Sequence, residues 1–281
     1  VTPMQNIITN FGSGITVAGA VLIAQYIGAG EKEDARSMAN QIFICAMGFA
    51  VVCAALCFLG TPAIVNWLGA DGGTAYYARV YLRVVIWDMP FLYMVNIFSA
   101  VHQAQGDTVR PMLLNLGGIT LNLFLDPFFM IILDMGTAGA ALATLLAKAV
   151  PATVAFILLC RPENDICLNR RYMQLQREKL GMILKVGLPT AIGGSTMQLG
   201  FLLMSKNVFV YGTEAMAAYG IGNKVNGLIT LPSNAIGSAT ATIVGQNMGA
   251  KQPERAEQGY RFSMWISVVF LFIGGMILSR D

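Results

Sequence analysis

The sequence predicts an all-α membrane protein, part of a twelve-helix, two-lobe bundle built from parallel six-helix repeats. Three observations carry this. Hydrophobic residues make up 56% of the chain and charged residues 12%, half the share of about 25% usual in soluble domains. Apolar runs longer than about 18 residues, each enough to cross a bilayer as a helix, recur throughout. One stretch also returns 221 positions later. Ala24-Gln25-Tyr26-Ile27-Gly28-Ala29-Gly30 runs into Glu33-Asp34-Ala35, and Gly245-Gln246-Asn247-Met248-Gly249-Ala250-Lys251 runs into Glu254-Arg255-Ala256.

Eight candidate spans follow in order, about 5–28, 39–68, 79–104, 111–133, 137–160, 181–211, 215–247 and 262–279. Turn chemistry separates them. The first stops at Gly28-Ala29-Gly30, the second before the glycines of 69–73, and the third at Gly106-Asp107. Gly136 to Gly139 divides the fourth from the fifth, and Tyr211-Gly212 ends the sixth. The only long polar connection runs from Arg161 to Lys179, and its Arg170, Arg171, Gln174 and Gln176 predict a helix lying on the membrane surface.

Basic residues set the direction. Lys32, Arg36, Arg110, Arg161, Arg170, Arg171, Arg177, Lys179, Lys251, Arg255 and Arg261 fall in loops on one side, against Arg79, Arg83 and Arg280 on the other. The richer side is cytoplasmic, so the first span runs inward from outside. The repeated segment occupies the first and seventh spans, and one period therefore contains six helices. An even period keeps both halves in the same orientation, related by an axis along the membrane normal. Residues 1–160 then form an N-lobe lacking its first helix, 161–180 a cytoplasmic linker, and 181–281 the first part of a C-lobe. About twelve spans are expected for the intact protein, of which this chain would be a fragment.

Other classes are disfavoured. The five cysteines lie in or beside apolar runs without a ladder of pairs, and His102 is the only histidine, so neither a metal site nor a histidine-based triad is expected. Glycine-rich turns at 28–30 and 69–73 lack the strand and helix of a phosphate loop. No enzyme activity, cofactor or nucleic acid partner is expected.

Polar groups inside the apolar runs are the candidate functional residues, because an unpaired charge there is expensive. Asn115, Asn122 and Asp126 fall at i, i+7 and i+11 on one helical stripe, with Asp126 about 12 Å below the outer end. Thr144 lies at a similar depth, about 10 Å, on the next helix. Asn, Asp and Thr oxygens at one level suit a proton or Na⁺. Pro127 supplies a hinge beside the carboxylate. Lys148 stands one turn beyond Thr144. It pairs with Asp126, is displaced by an arriving ion, or pairs with Asp88; the sequence leaves these open. Asp88, two residues before Pro90, is a cavity candidate or a helix-breaking residue with a lysine partner. Lys224, within Gly222-Asn223-Lys224-Val225-Asn226, is another cavity candidate.

The chain resembles the multidrug and toxic compound extrusion (MATE) family. The residues that carry this are Ile27-Gly28-Ala29-Gly30 with its repeat, Gln105-Gly106-Asp107-Thr108-Val109-Arg110-Pro111, Asn122-Leu123-Phe124-Leu125-Asp126-Pro127, Gly139-Ala140-Ala141-Leu142-Ala143-Thr144 and Ala217-Ala218-Tyr219-Gly220-Ile221. The resemblance implies a monomeric, multi-pass antiporter of the bacterial inner membrane. It would export cationic or amphipathic small molecules in exchange for H⁺ or Na⁺. It also implies that Asn122, Asp126 and Thr144 belong to an N-lobe ion site completed by an acid on a helix before residue 1. Flipping of a lipid-linked saccharide, as in more distant relatives, is the alternative within transport, and a non-transporting receptor is a further one.

Overall fold

A computed structural model describes residues 2–67, 86–162, 164–169 and 172–278. Among them are eight α-helices and no strand: α1 (Thr2–Gly28), α2 (Lys32–Trp67), α3 (Met89–Ala104), α4 (Val109–Pro127), α5 (Gly136–Cys160), α6 (Arg177–Phe209), α7 (Thr213–Gly249) and α8 (Pro253–Leu278). A 3₁₀ turn at Ile86–Asp88 leads into α3, and a π turn at Phe128–Ile132 continues α4. Each expected span is present as a helix. The turn at 69–73, the first residues of the third span, Arg79, Arg83, Arg170, Arg171 and Arg280 lie outside the described residues.

Several helices start earlier than the apolar runs do. α2 begins at Lys32, α6 at Arg177 and α8 at Pro253. Glu33 and Asp34, Glu178 and Glu254 occupy the first turns, where negative charge complements the helix dipole. A hydrophobic window stops at such charged turns and so reads these helices short. Just before α4, Asp107 Oδ1 accepts the backbone N–H groups of Val109 and Arg110 at 3.0 and 3.3 Å. Those are two of the donors that a helix start otherwise leaves unpaired.

Four helices, α2, α4 with its π turn, α5 and α8, carry stretches long and apolar enough to cross a membrane by composition alone. Their outward faces are large and greasy, as at Leu123, Phe124, Ile131, Phe262 and Phe272. α1 is the hub, packed against α2, α3, α6 and α7. In lipid, helices associate through close packing rather than escape from water, which favours small residues at their contacts. On α2 the buried positions include Ala35, Ala39, Ala46, Ala50 and Ala54, a stripe at helical spacing. Ile23, Met38, Ile42, Ile97, Phe98 and Val101 fill the space between α1, α2 and α3.

The repeat is visible bond by bond. After α1, backbone N–H groups of Ala29, Gly30, Glu31 and Ala35 bond the carbonyls of Gln25, Ile27, Tyr26 and Glu31 at 2.9 to 3.0 Å. After α7, Ala250, Lys251, Gln252 and Ala256 bond Gln246, Met248, Asn247 and Gln252 at 2.8 to 3.2 Å. Every member of the second set is the first shifted by the same offset. The two helices also meet through equivalent residues. A methyl group on Gly28 would overlap the carbonyl of Gln246, and one on Gly249 would overlap the carbonyl of Gln25. That reciprocal contact is what a two-fold relation between parallel repeats produces.

The connection between the halves differs from expectation. The described residues of 161–176 form bends and extended chain, not a surface helix. Two fully buried amides on α2 account for this. Asn40 accepts the N–H of Asn169 at 3.1 Å and donates to the carbonyl of Cys167. Gln41 accepts the N–H of Gln176 at 3.1 Å and donates to the carbonyl of Gln174 at 2.5 Å. Side chains of α2 thus satisfy backbone groups that a helix would otherwise have paired internally. Ion pairs Lys32–Asp165 (3.3 Å) and Lys179–Asp34 (2.8 Å) flank the clamp.

Candidate functional site

The α4 stripe and α5 meet as the spacing predicts. Asn122 donates its amide to Asp126 Oδ1 at 3.3 Å, one turn away on α4. Thr144 donates its hydroxyl to the Ala140 carbonyl at 2.9 Å. That bond fixes the rotamer and leaves the hydroxyl oxygen free to accept or to ligate. Asn122 and Thr144 line one cavity of about 260 Å³ between α3, α4 and α5, together with Asn115, Gly118, Lys148 and Pro151. Asn115 donates to the Pro111 carbonyl at 2.9 Å. Asp126 is half-buried and is not on the lining of this cavity, to which only its bond with Asn122 connects it, and no basic side chain among the described residues forms an ion pair with it.

The partner of Lys148 is Asp88. Its ammonium bonds Asp88 Oδ2 across the α3–α5 interface. The Asp88 side chain is 4% exposed and the Lys148 side chain 36% exposed. Lys148 therefore reaches the cavity while Asp88, which is not on its lining, sits behind it. Asp88 occupies the N-cap position of α3, with Pro90 in the first turn, where proline is tolerated. The third span is thus broken into a 3₁₀ turn and a helix at this carboxylate. Of the two partners open to Lys148, the rotation of α5 selects Asp88.

Pro127 ends the regular part of α4. The five residues after it form a π turn, closed by the Leu133 N–H to the Phe128 carbonyl at 3.1 Å. A widened turn of this kind stores an easily shifted register and is common at functional positions. The hinge expected at Pro127 is therefore a proline followed by a π turn. Lys224 is exposed on α7, away from this cavity.

Sequence reasoning missed a second cavity, of about 560 Å³, between α1, α3 and α7. Its polar wall holds Ser13, Thr16, Asn96, Ser99, Gln103 and Ser238, with no charged group. Ser238 bonds the Gln103 side chain at 3.2 Å, and Gln246 donates to the Ala104 carbonyl at 2.8 Å. These bonds close the end of the interface beside Gly28 and Gly249. The stripes Ser13, Thr16, Ala20 and Asn96, Ser99, Gln103, each at i, i+3 and i+7, were the available signal.

Comparison with known proteins bears on this arrangement. The family model described as MatE matches residues 1–128 and 189–279. The protein described as "Probable multidrug resistance protein NorM" of Thermotoga maritima is 31% identical over 271 residues, which cover 94% of this chain and 57% of that protein. A solved structure described as an outward-facing multidrug resistance MATE family transporter of the MOP superfamily is 26% identical, with a TM-score of 0.89 over 96% of this chain and 60% of that one. The inward-facing conformation of such a transporter, also 26% identical, gives a TM-score of 0.73 over 95% of this chain and 61% of that one. The chain thus spans about 60% of the length of these similar proteins.

Proposed function

Since the chain belongs to the MatE family of multidrug efflux transporters, we propose that it is the greater part of a secondary antiporter of a bacterial inner membrane. Its substrates are cationic or amphipathic small molecules, exchanged for H⁺ or Na⁺. The observation that carries this reading is a carboxylate with no cationic partner among the described residues, Asp126, held by Asn122, which lines one cavity with Thr144. A lone carboxylate at this depth favours whichever monovalent cation reaches it. An organic cation from the cytoplasm and a coupling ion from outside would then compete for one negative charge.

The higher TM-score against the outward-facing relative supports assigning this conformation to the outward-open state. The bonds among Gln103, Ser238, Gln246 and Ala104 then serve as the inner closure. Neutralising Asp126 changes what holds the outer end of α4, and the π turn after Pro127 is where that helix would yield. A saccharide-pyrophosphate flippase fits less well, because the one cation on the cavity wall, Lys148, is already neutralised by Asp88.

The test uses the full-length protein. Asp126→Asn is expected to abolish efflux of ethidium from cells and ethidium-evoked proton or Na⁺ flux in proteoliposomes, with membrane expression unchanged. Undiminished efflux by that variant refutes the reading.

A further inference from the structure

We propose that Lys148 is a tethered counter-ion that changes partner, from Asp88 to Asp126, and so passes the charge of an incoming proton to the exchange site. This rests on the antiporter reading above and specifies how its carboxylate is neutralised.

Charge accounting motivates it. Among the described residues of α1 to α5, away from the helix ends, the charged side chains are Asp88, Asp126 and Lys148, with His102 and Arg110 only at cytoplasmic helix ends. Nothing charged on α2, which also packs against the turn at Ile86–Asp88, lies beyond Arg36. Among these described groups two carboxylates share one ammonium, which bonds Asp88 and leaves Asp126 without it. An organic cation can occupy Asp126.

A proton added to Asp88 Oδ2 removes the charge that holds the ammonium. Lys148 is then an unpaired cation on the wall of a cavity whose opposite wall carries Asn122, the residue that holds Asp126. Its flexible four-carbon stem allows the ammonium to turn into that cavity. Pairing with Asp126 expels the organic cation. When the proton leaves Asp88 to the cytoplasm, Lys148 returns and Asp126 is vacated. The cycle moves one proton against one monovalent cation and needs no Na⁺. The buried position of Asp88, 4% exposed, against the partial exposure of Lys148 is what such a switch requires. The mobile member faces the cavity and the titrating member stands behind it.

The test is ethidium binding to the purified full-length protein, by fluorescence anisotropy, between about pH 6 and 8, in sodium and in potassium buffers. The wild type is expected to lose affinity as pH falls, equally in both salts. Asp88→Asn imitates the protonated carboxyl and should bind about tenfold or more weaker at every pH. Lys148→Gln should bind tightly with no pH dependence. The Asp88→Asn/Lys148→Gln double variant, which removes both charges of the pair together and so guards against simple misfolding, should do the same. A pair with only a structural role predicts instead that Asp88→Asn retains the wild-type pH profile, and that result overturns the proposal. Competition by Na⁺ rather than H⁺ in the wild type also overturns it. Both of those failures leave the antiporter reading intact, whereas efflux surviving in Asp126→Asn removes the reading itself.

Discussion

The two copies of the repeated segment part company at the second residue past each helix. Gly30 has φ +78° and its counterpart Lys251 has φ +56°, both in the left-handed region that glycine adopts freely and other residues at a cost of roughly 1–2 kcal/mol. Gly28 and Gly249, by contrast, are glycine in both copies. The distinction is between conformation and contact. A lysine can be held left-handed for a small cost, because beyond position 30 there is open space. A side chain at position 28 or 249 would have to displace a partner helix's backbone. The repeat has kept what the helix–helix contact demands and relaxed what the turn merely prefers.

This comparison can be broken first at the contact. Gly28→Ala and Gly249→Ala are each expected to destabilise the full-length protein by about 3 kcal/mol, the upper end of overpacking costs, since the obstacle is main chain. Thermal unfolding in detergent measures it. Because the contact is reciprocal, the double variant should lose clearly less than the sum. Additive losses would mean that the two glycines do not share one interface.

A smaller effect separates the glutamines. Gln246 donates to the Ala104 carbonyl at 2.8 Å, whereas no such bond involves the Gln25 side chain among the described residues. Gln246→Ala should cost about 1 kcal/mol and Gln25→Ala much less. Equal losses would show that the copies are closer to symmetric than their side chains indicate. The smallest effect should run the other way. Lys251→Gly should stabilise by up to about 1 kcal/mol, a gain tempered by the added freedom of glycine in the unfolded chain, while Gly30→Ala should destabilise by a similar amount.

Much of the fold was legible because membrane helices announce themselves by unbroken apolarity and by the glycine and proline turns between them. The offset between copies, and with it the parallel relation of the halves, needed only sequence. That Asn122 and Thr144 face one cavity, with Asp126 bonded to Asn122 one turn away, could be anticipated from helical spacing and depth. What stayed hidden depends on rotation about a helix axis. Asp88 and Asp126 are both within a lysine's reach of Lys148 by depth, and only the facing of α3 and α5 selects Asp88. The linker was misread for a related reason. Asn40 and Gln41 look like polar residues at the mouth of an apolar run, and nothing local says that they are turned inward to hold a chain well over a hundred residues away. Pro127 was legible as a break, but the π turn after it was not, since it depends on how the five following residues close.

The clamp on the linker has a mechanical consequence. Between the end of α5 and the start of α6, Asn40 and Gln41 hold the described parts of the connection, and Lys179 ties the first turn of α6 to Asp34. With α6 also lying along α1, its first turn is splinted to α1 and α2. A rigid-body displacement of the later helices against α1 and α2 would therefore have to shear along a surface beyond α6 and not at the 161–176 connection.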